Sequence, residues 1–144
     1  MTQAEQAAST IAPGTPLIKV VPPRLVEPYL AGQRSVIAGY LYRAQDCSSF
    51  REPADYYRAL GLEYEGSDFG PEMPELYLLR WLALEMSSSL RPVADEDPLR
   101  TVPEFYTMPV PIPVGAELHR VTPGREEFIA RYDGQVWLRP LGGL

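Results

Sequence analysis

Short apolar runs, separated by prolines and polar turns, form the main pattern of the chain. PLIKVV at 16–21 is followed by two prolines, and SVIAGYLYRAQ at 35–45 carries apolar residues at both odd and even positions. Short β-branched runs bounded by proline are typical of strands, and apolar residues on both faces indicate a central strand. ELYLLRWLALEM fits both a helical stripe and strand alternation, but its aromatic residues favour a strand over 76–83.

One helix is predicted in the segment SFREPADYYRALGL. Ser49 followed by Glu52 fits a capping box, and Pro53 alternatively occupies the first helical position. Gly61 suits the position after the helix, because glycine adopts positive φ at little cost. The earlier segment RLVEPYLAGQ stays ambiguous, since Pro28 is expected to break a helix there.

The C-terminal part predicts a three-stranded antiparallel meander built from ELHRV, EFIARY and QVWL. Asp133-Gly134 between the last two runs is a signal for a type I′ hairpin turn, in which both central residues need positive φ. Four residues of this meander are predicted to face the core: Phe128, Ala130, Tyr132 and Trp137.

Sixteen prolines in 144 residues keep the regular elements short. The segment TVPEFYTMPVPIPVG is expected to be extended, as an edge strand or a polyproline-like stretch. The predicted class is therefore α+β, with a mostly antiparallel sheet, one or two short helices, Pro-rich extended connections and the C-terminal meander. The length favours a single domain over 17–144, preceded by a flexible tail over 1–16.

The net charge of −6 and the presence of one lysine, Lys19, argue against partners with phosphate backbones. Binding to nucleic acid or an anionic membrane needs clustered basic residues, and the arginines are scattered. An acidic surface instead favours a basic protein partner. The oligomeric state is left open by the sequence.

Cys47 is the one cysteine, so neither an intramolecular disulfide nor a Cys-rich metal site is expected. The acidic run at 95–97 lacks the spacing of a calcium loop, and a solvated turn is the favoured interpretation. The N-terminus lacks the pattern of a cleaved signal peptide, and no apolar run is long enough to span a membrane. A cytoplasmic location is predicted, with signal-independent export left open.

Leu41, Tyr42 and Arg43 come at the end of the predicted central strand. This motif resembles the opening motif of ADP-ribosyltransferase toxins of the arginine–serine–glutamate type. In that family a strand-borne arginine holds NAD, a later strand carries a serine motif, and a glutamate orients the ribose for attack. The resemblance implies catalytic roles for residues in three parts of the chain: Arg43, Ser87 and Ser89 within the run Ser87-Ser88-Ser89, and Glu104.

The chemistry that the resemblance implies suits these residue types. Arginine offers two parallel donors to a pyrophosphate, and a carboxylate stabilises a positive ribosyl centre as nicotinamide leaves. Tyr40, Tyr42 or Tyr106 would supply a ring to stack on nicotinamide. NAD would then be a substrate, and no cofactor or metal is otherwise predicted.

A structural interpretation accounts for the same residues one by one. In it Arg43 pairs with Asp46 at the strand end, the serines lie in a loop, and Glu104 is a solvated charge. Cys47 is a small buried residue and His119 a hydrogen-bonded strand residue, with a Cys47–His119 nucleophile–base pair as the alternative.

The proline-rich aromatic segment at 102–114 offers a route to protein binding. Phe105, Tyr106 and Met108 are the candidate partner-binding residues, because aromatic residues are enriched at interfaces. The favoured function is a small acidic protein-binding module of the immunity or adaptor type. The alternative is a transferase-like toxin or effector domain that uses NAD, so enzymatic activity is left open.

Overall fold

The computed structural model describes residues 11–63, 66–83, 90–92 and 102–140. Within these ranges the chain forms eight strands and two short α-helices. The strands are β1 (Pro16–Val21), β2 (Val36–Arg43), β3 (Leu76–Leu82), β4 (Leu90–Pro92), β5 (Phe105–Pro111), β6 (Glu117–Thr122), β7 (Arg125–Tyr132) and β8 (Trp137–Leu138). The helices are α1 (Val26–Leu30) and α2 (Pro53–Ala59), and 3-10 turns cover Pro23–Leu25 and Ala44–Cys47.

The strands form one sheet in the order β4-β5-β2-β1-β3-β6-β7-β8, and every pairing is antiparallel. The predicted α+β class with a mostly antiparallel sheet is confirmed. The strands predicted at 16–21, 35–45 and 76–83 are β1, β2 and β3, and the C-terminal meander is β6, β7 and β8. No helix in the described ranges has the length and apolar character needed to cross a membrane.

The start of α2 depends on Pro53 and on the carboxylate of Asp55. Pro53 occupies the first helical position, where its missing N–H costs no hydrogen bond. Asp55 Oδ2 accepts hydrogen bonds from the backbone N–H groups of Arg51 at 2.8 Å and Glu52 at 3.0 Å. The helix therefore begins after Glu52, and the predicted capping box starting at Ser49 is replaced by one that uses Asp55.

The end of α2 matches its prediction. Gly61 has a φ of +65°, and the backbone N–H of Leu62 donates to the carbonyl of Tyr57 at 3.1 Å. A left-handed residue followed by such a bond satisfies the last carbonyls of a helix. Leu62 is buried, so the chain turns back onto the core directly after the helix.

Pro28 lies inside α1, where a break was expected. It is the third residue of this five-residue helix. The first N–H groups of a helix have no intrahelical acceptor, so proline is tolerated there. The prediction of a break is therefore wrong for α1.

The sheet is strongly curved, as the connection from β5 to β6 shows. Three strands separate β5 from β6 in the sheet, yet only residues 112–116 join them. In a flat sheet the gap would be about 19 Å, close to the full reach of this connection. A turn closed by the bond from Ala116 N–H to the carbonyl of Pro113 shortens that reach, so the sheet must curl.

The two faces of the sheet are named for the helices that pack on them. The α2 face carries a buried cluster made with α2 and the Ala44–Cys47 turn, including Ile18, Val20, Tyr42, Tyr56, Leu60, Leu76 and Leu78. The α1 face carries a cluster made with α1 and the 112–116 connection, including Val21, Val26, Tyr29, Ile37, Leu79, Ile112 and Leu118. The curl encloses the α1 face, because the 112–116 connection crosses it.

A bulge in the β6–β7 pairing changes the orientation of Phe128. Leu118 pairs with Ala130, but the next residue, His119, pairs with Phe128, so Ile129 is the extra residue. Ala130 is buried as predicted, whereas Phe128 is 37% exposed. The prediction that Phe128 faces the core is wrong, because it assumed unbroken alternation along the strand.

The aromatic pair predicted at the end of the meander is present. Tyr132 pairs with Trp137 across β7 and β8, with ring centroids 5.2 Å apart. Both rings are half-buried against the cluster on the α1 face.

The connection between β7 and β8 is wider than the predicted type I′ turn. That turn needs positive φ at both Asp133 and Gly134, but only Gly134 has it, at +108°. Asp133 Oδ1 instead accepts hydrogen bonds from the N–H groups of Gln135 and Val136, both at 2.8 Å. These bonds lower the pKa of the Asp133 carboxyl and hold a wider loop without strain at the aspartate.

Candidate functional site

Two neighbouring strands, β2 and β5, carry most of the residues singled out by the sequence. Their register pairs Leu41 with Phe105. Next to this pair, the Tyr42 hydroxyl donates a hydrogen bond of 2.6 Å to Glu104 Oε2. Residues on or next to these two strands therefore take part in both candidate functions.

Arg43 is buried at the end of β2. Its side chain is 9% exposed, and its Nε donates to Asp46 Oδ2 at 2.7 Å. Its guanidinium carbon lies 5.6 Å from the centroid of the Phe105 ring. The ion pair with Asp46 that the structural interpretation predicts is present.

Strand alternation directs Arg43 and Glu104 to opposite faces of the sheet. Arg43 pairs with Leu17 of β1 and contacts Phe105, both on the α1 face. Glu104 contacts Tyr42, whose ring lies on the α2 face. Ser87 and Ser89 lie outside the described residues, so the three-part arrangement implied by the transferase resemblance stays a prediction.

An apolar surface is open to solvent on the α2 face of β2 and β5. Tyr40 and Tyr106 pair across the two strands in an edge-to-face contact, with centroids 5.6 Å apart. Their exposures are 53% and 37%, and those of the neighbouring Met108 and Val36 are 59% and 39%. We call these four residues the tyrosine–methionine patch.

Phe105 does not belong to this surface. It is 1% exposed and packs with Leu17 and Leu41 on the α1 face. Adjacent residues of a strand point to opposite faces, so Phe105 and Tyr106 are separated by the sheet itself. The predicted partner-binding set is thus divided, with Tyr106 and Met108 on the surface and Phe105 in the core.

The patch lies beside a partly open strand edge. β4 pairs with β5 only over 105–107. Past that point, Met108 to Pro111 have no outer strand partner within the described residues. Pro109 and Pro111 carry no backbone N–H, which limits unwanted pairing with other strands.

The environment of Lys19 was not predicted from the sequence. Its ammonium donates to the backbone carbonyl of Tyr40 at 3.2 Å. Burial, reinforced by the nearby Arg34 guanidinium, lowers the Lys19 pKa to about 8, while Glu104 acts in the opposite direction. One sequence signal could have found it, because Lys19 is the sole charge within the apolar run PLIKVV.

A separate group of charges occupies the α2 face of β3, β6 and β7. We call it the β6–β7 charge network, and its members are Arg80, Glu117, His119, Glu126 and Arg131. Arg80 donates to both oxygens of Glu126, at 2.7 and 2.8 Å. The two ring nitrogens of His119 lie 2.9 Å from Glu117 Oε1 and 3.0 Å from Glu126 Oε2, and Arg131 completes the network by binding Glu117.

The network shifts the titration of its own members. Burial acts to lower the His119 pKa, but hydrogen bonds with Glu126 and Glu117 outweigh it and raise the pKa above its ordinary value. The bond with His119, together with those from Arg80, lowers the Glu126 pKa to about 2. Both carboxylates thus favour the protonated form of the His119 ring.

The environment of Cys47 does not favour a nucleophile–base pair. Burial, with a smaller effect of Asp46, raises the pKa of the Cys47 thiol to about 12, whereas a nucleophile needs a thiolate near neutral pH. Both nitrogens of His119 are engaged by carboxylates. The structural interpretation, a small buried cysteine and a hydrogen-bonded histidine, is confirmed.

Two open clefts lie away from the tyrosine–methionine patch, and one of them borders Arg80, Glu117 and Arg131 of the β6–β7 charge network. One of about 930 Å³ at the ends of β1, β3 and β6 is lined by Trp81, Leu82, Val114 and Arg131 among others. One of about 600 Å³ lies beside α2. In the part of the chain that the structure describes, no group of three or more His, Cys, Asp or Glu residues could hold a metal ion.

Comparison with known proteins gave no match to a family model, to a curated protein or to a solved structure. The function is therefore argued from the residues alone.

Proposed function

We propose that this chain is a small acidic protein-binding module that docks a basic protein through the tyrosine–methionine patch. The observation that supports this best is the joint exposure of Tyr40, Tyr106 and Met108 on two paired strands. An exposed apolar group of this kind on a small protein is a common feature of interaction surfaces.

The residue types in the patch suit protein recognition. Tyrosine combines a large apolar ring with a polar hydroxyl and loses little conformational entropy on binding. The edge-to-face contact of Tyr40 with Tyr106 limits the freedom of both rings before a partner arrives. Met108 adds a flexible, polarisable side chain that adapts to an irregular partner surface.

The charge distribution favours a basic partner. Seven arginines of the described residues already pair with an acid of the same chain: Arg24, Arg43, Arg58, Arg80, Arg120, Arg125 and Arg131. These seven arginines are already neutralised by acidic residues of the same chain, and the net charge of −6 arises because acidic residues outnumber basic ones. Such an excess steers a basic protein toward the surface and increases the association rate.

The test compares partner capture by the wild type and by a Tyr106→Ser/Met108→Ser variant immobilised in parallel. Proteins retained from an extract of the source cells are identified by mass spectrometry, and the affinity of each retained protein is then measured after purification. We expect a basic partner whose affinity for the variant falls by about 2 kcal/mol or more, a factor of about 30. Raising the salt concentration should weaken the wild-type complex as well.

A matched control changes exposed apolar residues elsewhere. Val136 and Leu138 are 54% and 53% exposed on the β8 side of the sheet. The Val136→Ser/Leu138→Ser variant should retain the partner with wild-type affinity. Equal retention by all three proteins, or loss only with the control, would exclude the patch as the docking surface.

A further inference from the structure

The larger cleft, of about 930 Å³, lies at one end of the sheet, where β1 and β6 begin and β3 and β7 end. We call it the sheet-end cleft. Its volume falls within the range of roughly 300–1,000 Å³ that is common for small-molecule sites. None of its lining residues belongs to the tyrosine–methionine patch, so its occupant is a question separate from the protein-binding proposal.

Main-chain hydrogen bonds hold the walls of the sheet-end cleft in place. On one side, Gly14 N–H donates to the carbonyl of Ala83 at 2.9 Å, and Ala83 N–H donates to the carbonyl of Thr15 at 2.8 Å. On the other side, Gly115 N–H donates to the carbonyl of Tyr132 at 2.8 Å. The cleft is therefore formed before a ligand arrives, which lowers the entropic cost of binding.

The walls themselves are mostly apolar. Leu82 and Val114 are 60% and 74% exposed, and the Trp81 ring is half-buried. Leu17 and Ala116, which also line the cleft, are buried. Indole and aliphatic side chains that are open to water gain free energy when they cover an apolar ligand. The cleft thus suits a molecule with an apolar body.

A row of three charged side chains lines the same cleft. Arg80 of β3 pairs with Glu117 of β6, and Glu117 pairs with Arg131 of β7. Arg80 uses its Nε and Nη2 to bind Glu126, whose side chain does not line the cleft. In the part of the chain that the structure describes, the charged lining groups are therefore two guanidinium groups and one carboxylate.

Arg131 has hydrogen-bonding capacity to spare. Its side chain is 61% exposed, and its Nη2 donates to Glu117 Oε2 at 2.5 Å. A guanidinium carries several N–H donors, and the remaining ones of Arg131 have no acceptor among the described residues. A carboxylate in the cleft can accept two of them in parallel, which is the strongest arrangement for this pair of groups.

We propose that the sheet-end cleft binds a small amphipathic carboxylate. Its apolar chain packs against Trp81, Leu82 and Val114, and its carboxylate accepts hydrogen bonds from Arg131 in competition with Glu117. A preference for an anion opposes the net charge of −6, because the field of the whole protein favours cations. Such a preference must therefore arise locally, from the guanidinium groups of the cleft.

The test uses octanoate, octylammonium and 1-octanol, which share one alkyl chain and differ in their head groups. In the full-length protein, Trp137→Phe leaves Trp81 as the one tryptophan, and it removes no hydrogen bond, because Trp137 Nε1 has no acceptor. Trp81 fluorescence then reports occupation of the cleft. We expect a saturable change with octanoate, with a Kd on the order of 1 mM or lower. Octylammonium should bind at least about tenfold more weakly.

Variants in this background separate the contact of the head group from that of the chain. Arg131→Gln should lower the affinity for octanoate about fivefold or more and leave that for 1-octanol unchanged. Glu117→Gln should raise the affinity for octanoate, since it removes a repelling carboxylate and releases Arg131 Nη2. Leu82→Ser/Val114→Ser should weaken all three ligands.

The matched control is Tyr106→Ser/Met108→Ser, which alters an exposed apolar surface outside the cleft and should bind octanoate with unchanged affinity. No saturable change with octanoate at about ten times the expected Kd would overturn the site. Octylammonium binding as tight as that of octanoate, or an octanoate affinity insensitive to Arg131→Gln, would overturn the carboxylate contact. Loss of octanoate binding in the control alone would place the ligand outside the cleft.

Discussion

The β6–β7 charge network and the two cations Lys19 and Arg34 show two different arrangements of charge in one protein. In the network, Arg80, His119 and Arg131 each bind a carboxylate of Glu117 or Glu126. On the opposite face, Lys19 donates only to a backbone carbonyl, and Arg34 lies over an aromatic ring. The first arrangement satisfies its charges internally, and the second leaves positive charge available.

The difference determines whether each charge favours or opposes folding. Carboxylates beside a cation stabilise its charged form, so the pKa of the cation is raised and its charge contributes to folding. A cation that is partly desolvated beside another cation opposes folding, and its pKa moves toward neutral pH. Substitutions in the two regions should therefore have effects of opposite sign.

Glu126→Gln should have the largest effect, because Glu126 binds both Arg80 and His119. We expect the free energy of unfolding to fall by about 2 kcal/mol, measured by urea denaturation at neutral pH. The control is Glu127→Gln, since the Glu127 pair with Arg125 is exposed and 3.5 Å long. Its loss should cost less than about 0.5 kcal/mol, and equal losses in the two variants would contradict a special role for the network.

The network should also make the free energy of unfolding depend on pH, with losses of stability at both high and low pH. The raised His119 pKa contributes stability that is complete below the ordinary value of 6.5 and lost as pH rises through the folded-state value. The lowered Glu126 pKa contributes stability that is present above 4.5 and lost as pH falls toward about 2. The contribution is thus greatest between 4.5 and 6.5.

The His119→Gln variant isolates the loss of stability at high pH. Because Gln does not titrate, the difference in unfolding free energy between wild type and variant should shrink as pH rises above 6.5. The charges that act on His119 are Glu126, Glu117 and Arg80, and they stay charged across this range because the pKa values of the two carboxyls are lowered and that of the guanidinium is raised. A difference that is constant with pH would show that the folded state does not raise the His119 pKa.

Lys19→Met should change stability in the other direction. Methionine removes the desolvated charge and its repulsion from Arg34, so we expect a gain of about 1 kcal/mol near neutral pH. The folded-state pKa of Lys19, about 8, lies below the ordinary 10.5. The free energy of unfolding of the wild type should therefore rise between pH 8 and pH 10.5, and the advantage of the variant should vanish near pH 10.5. If the variant is less stable than the wild type at neutral pH, Lys19 is a stabilising cation like those of the β6–β7 charge network.

Glu104→Gln should have a small effect, which is measured at Lys19. Glu104 is the acid that raises the Lys19 pKa, so its neutralisation should lower this pKa further. The pH dependence of reductive methylation of the Lys19 amine reports the shift, and unfolding should change little because the Tyr42 hydroxyl can still donate to the glutamine oxygen. A midpoint that moves upward would contradict this electrostatic assignment.

The same variant tests the transferase resemblance. The protein-binding proposal predicts that wild-type protein releases no nicotinamide from NAD. Release by the wild type that Glu104→Gln abolishes would instead support the role that the resemblance assigns to Glu104.

The local features of this protein could be predicted from its sequence. Proline and glycine at the ends of α2, the run at 16–21 and the pair Arg43–Asp46 all depend on residues close together in the chain. The exposure of Tyr106 and Met108 was also expected, because aromatic and apolar residues between prolines suggested a surface strand. Such features follow from backbone sterics and short-range contacts, which a local stretch of sequence specifies.

Other features were decided by the tertiary structure. Three such features depend on which strands pair and in what register: the bulge that turns Phe128 outward, the division of Phe105 from Tyr106, and the end of the β1–β2 pairing at Ile18. Register is set by the summed packing of distant residues, and a one-residue shift moves a side chain to the other face. The sequence alone thus determined where the chain is extended or helical, and the long-range pairing of strands decided which charges meet carboxylates and which remain available.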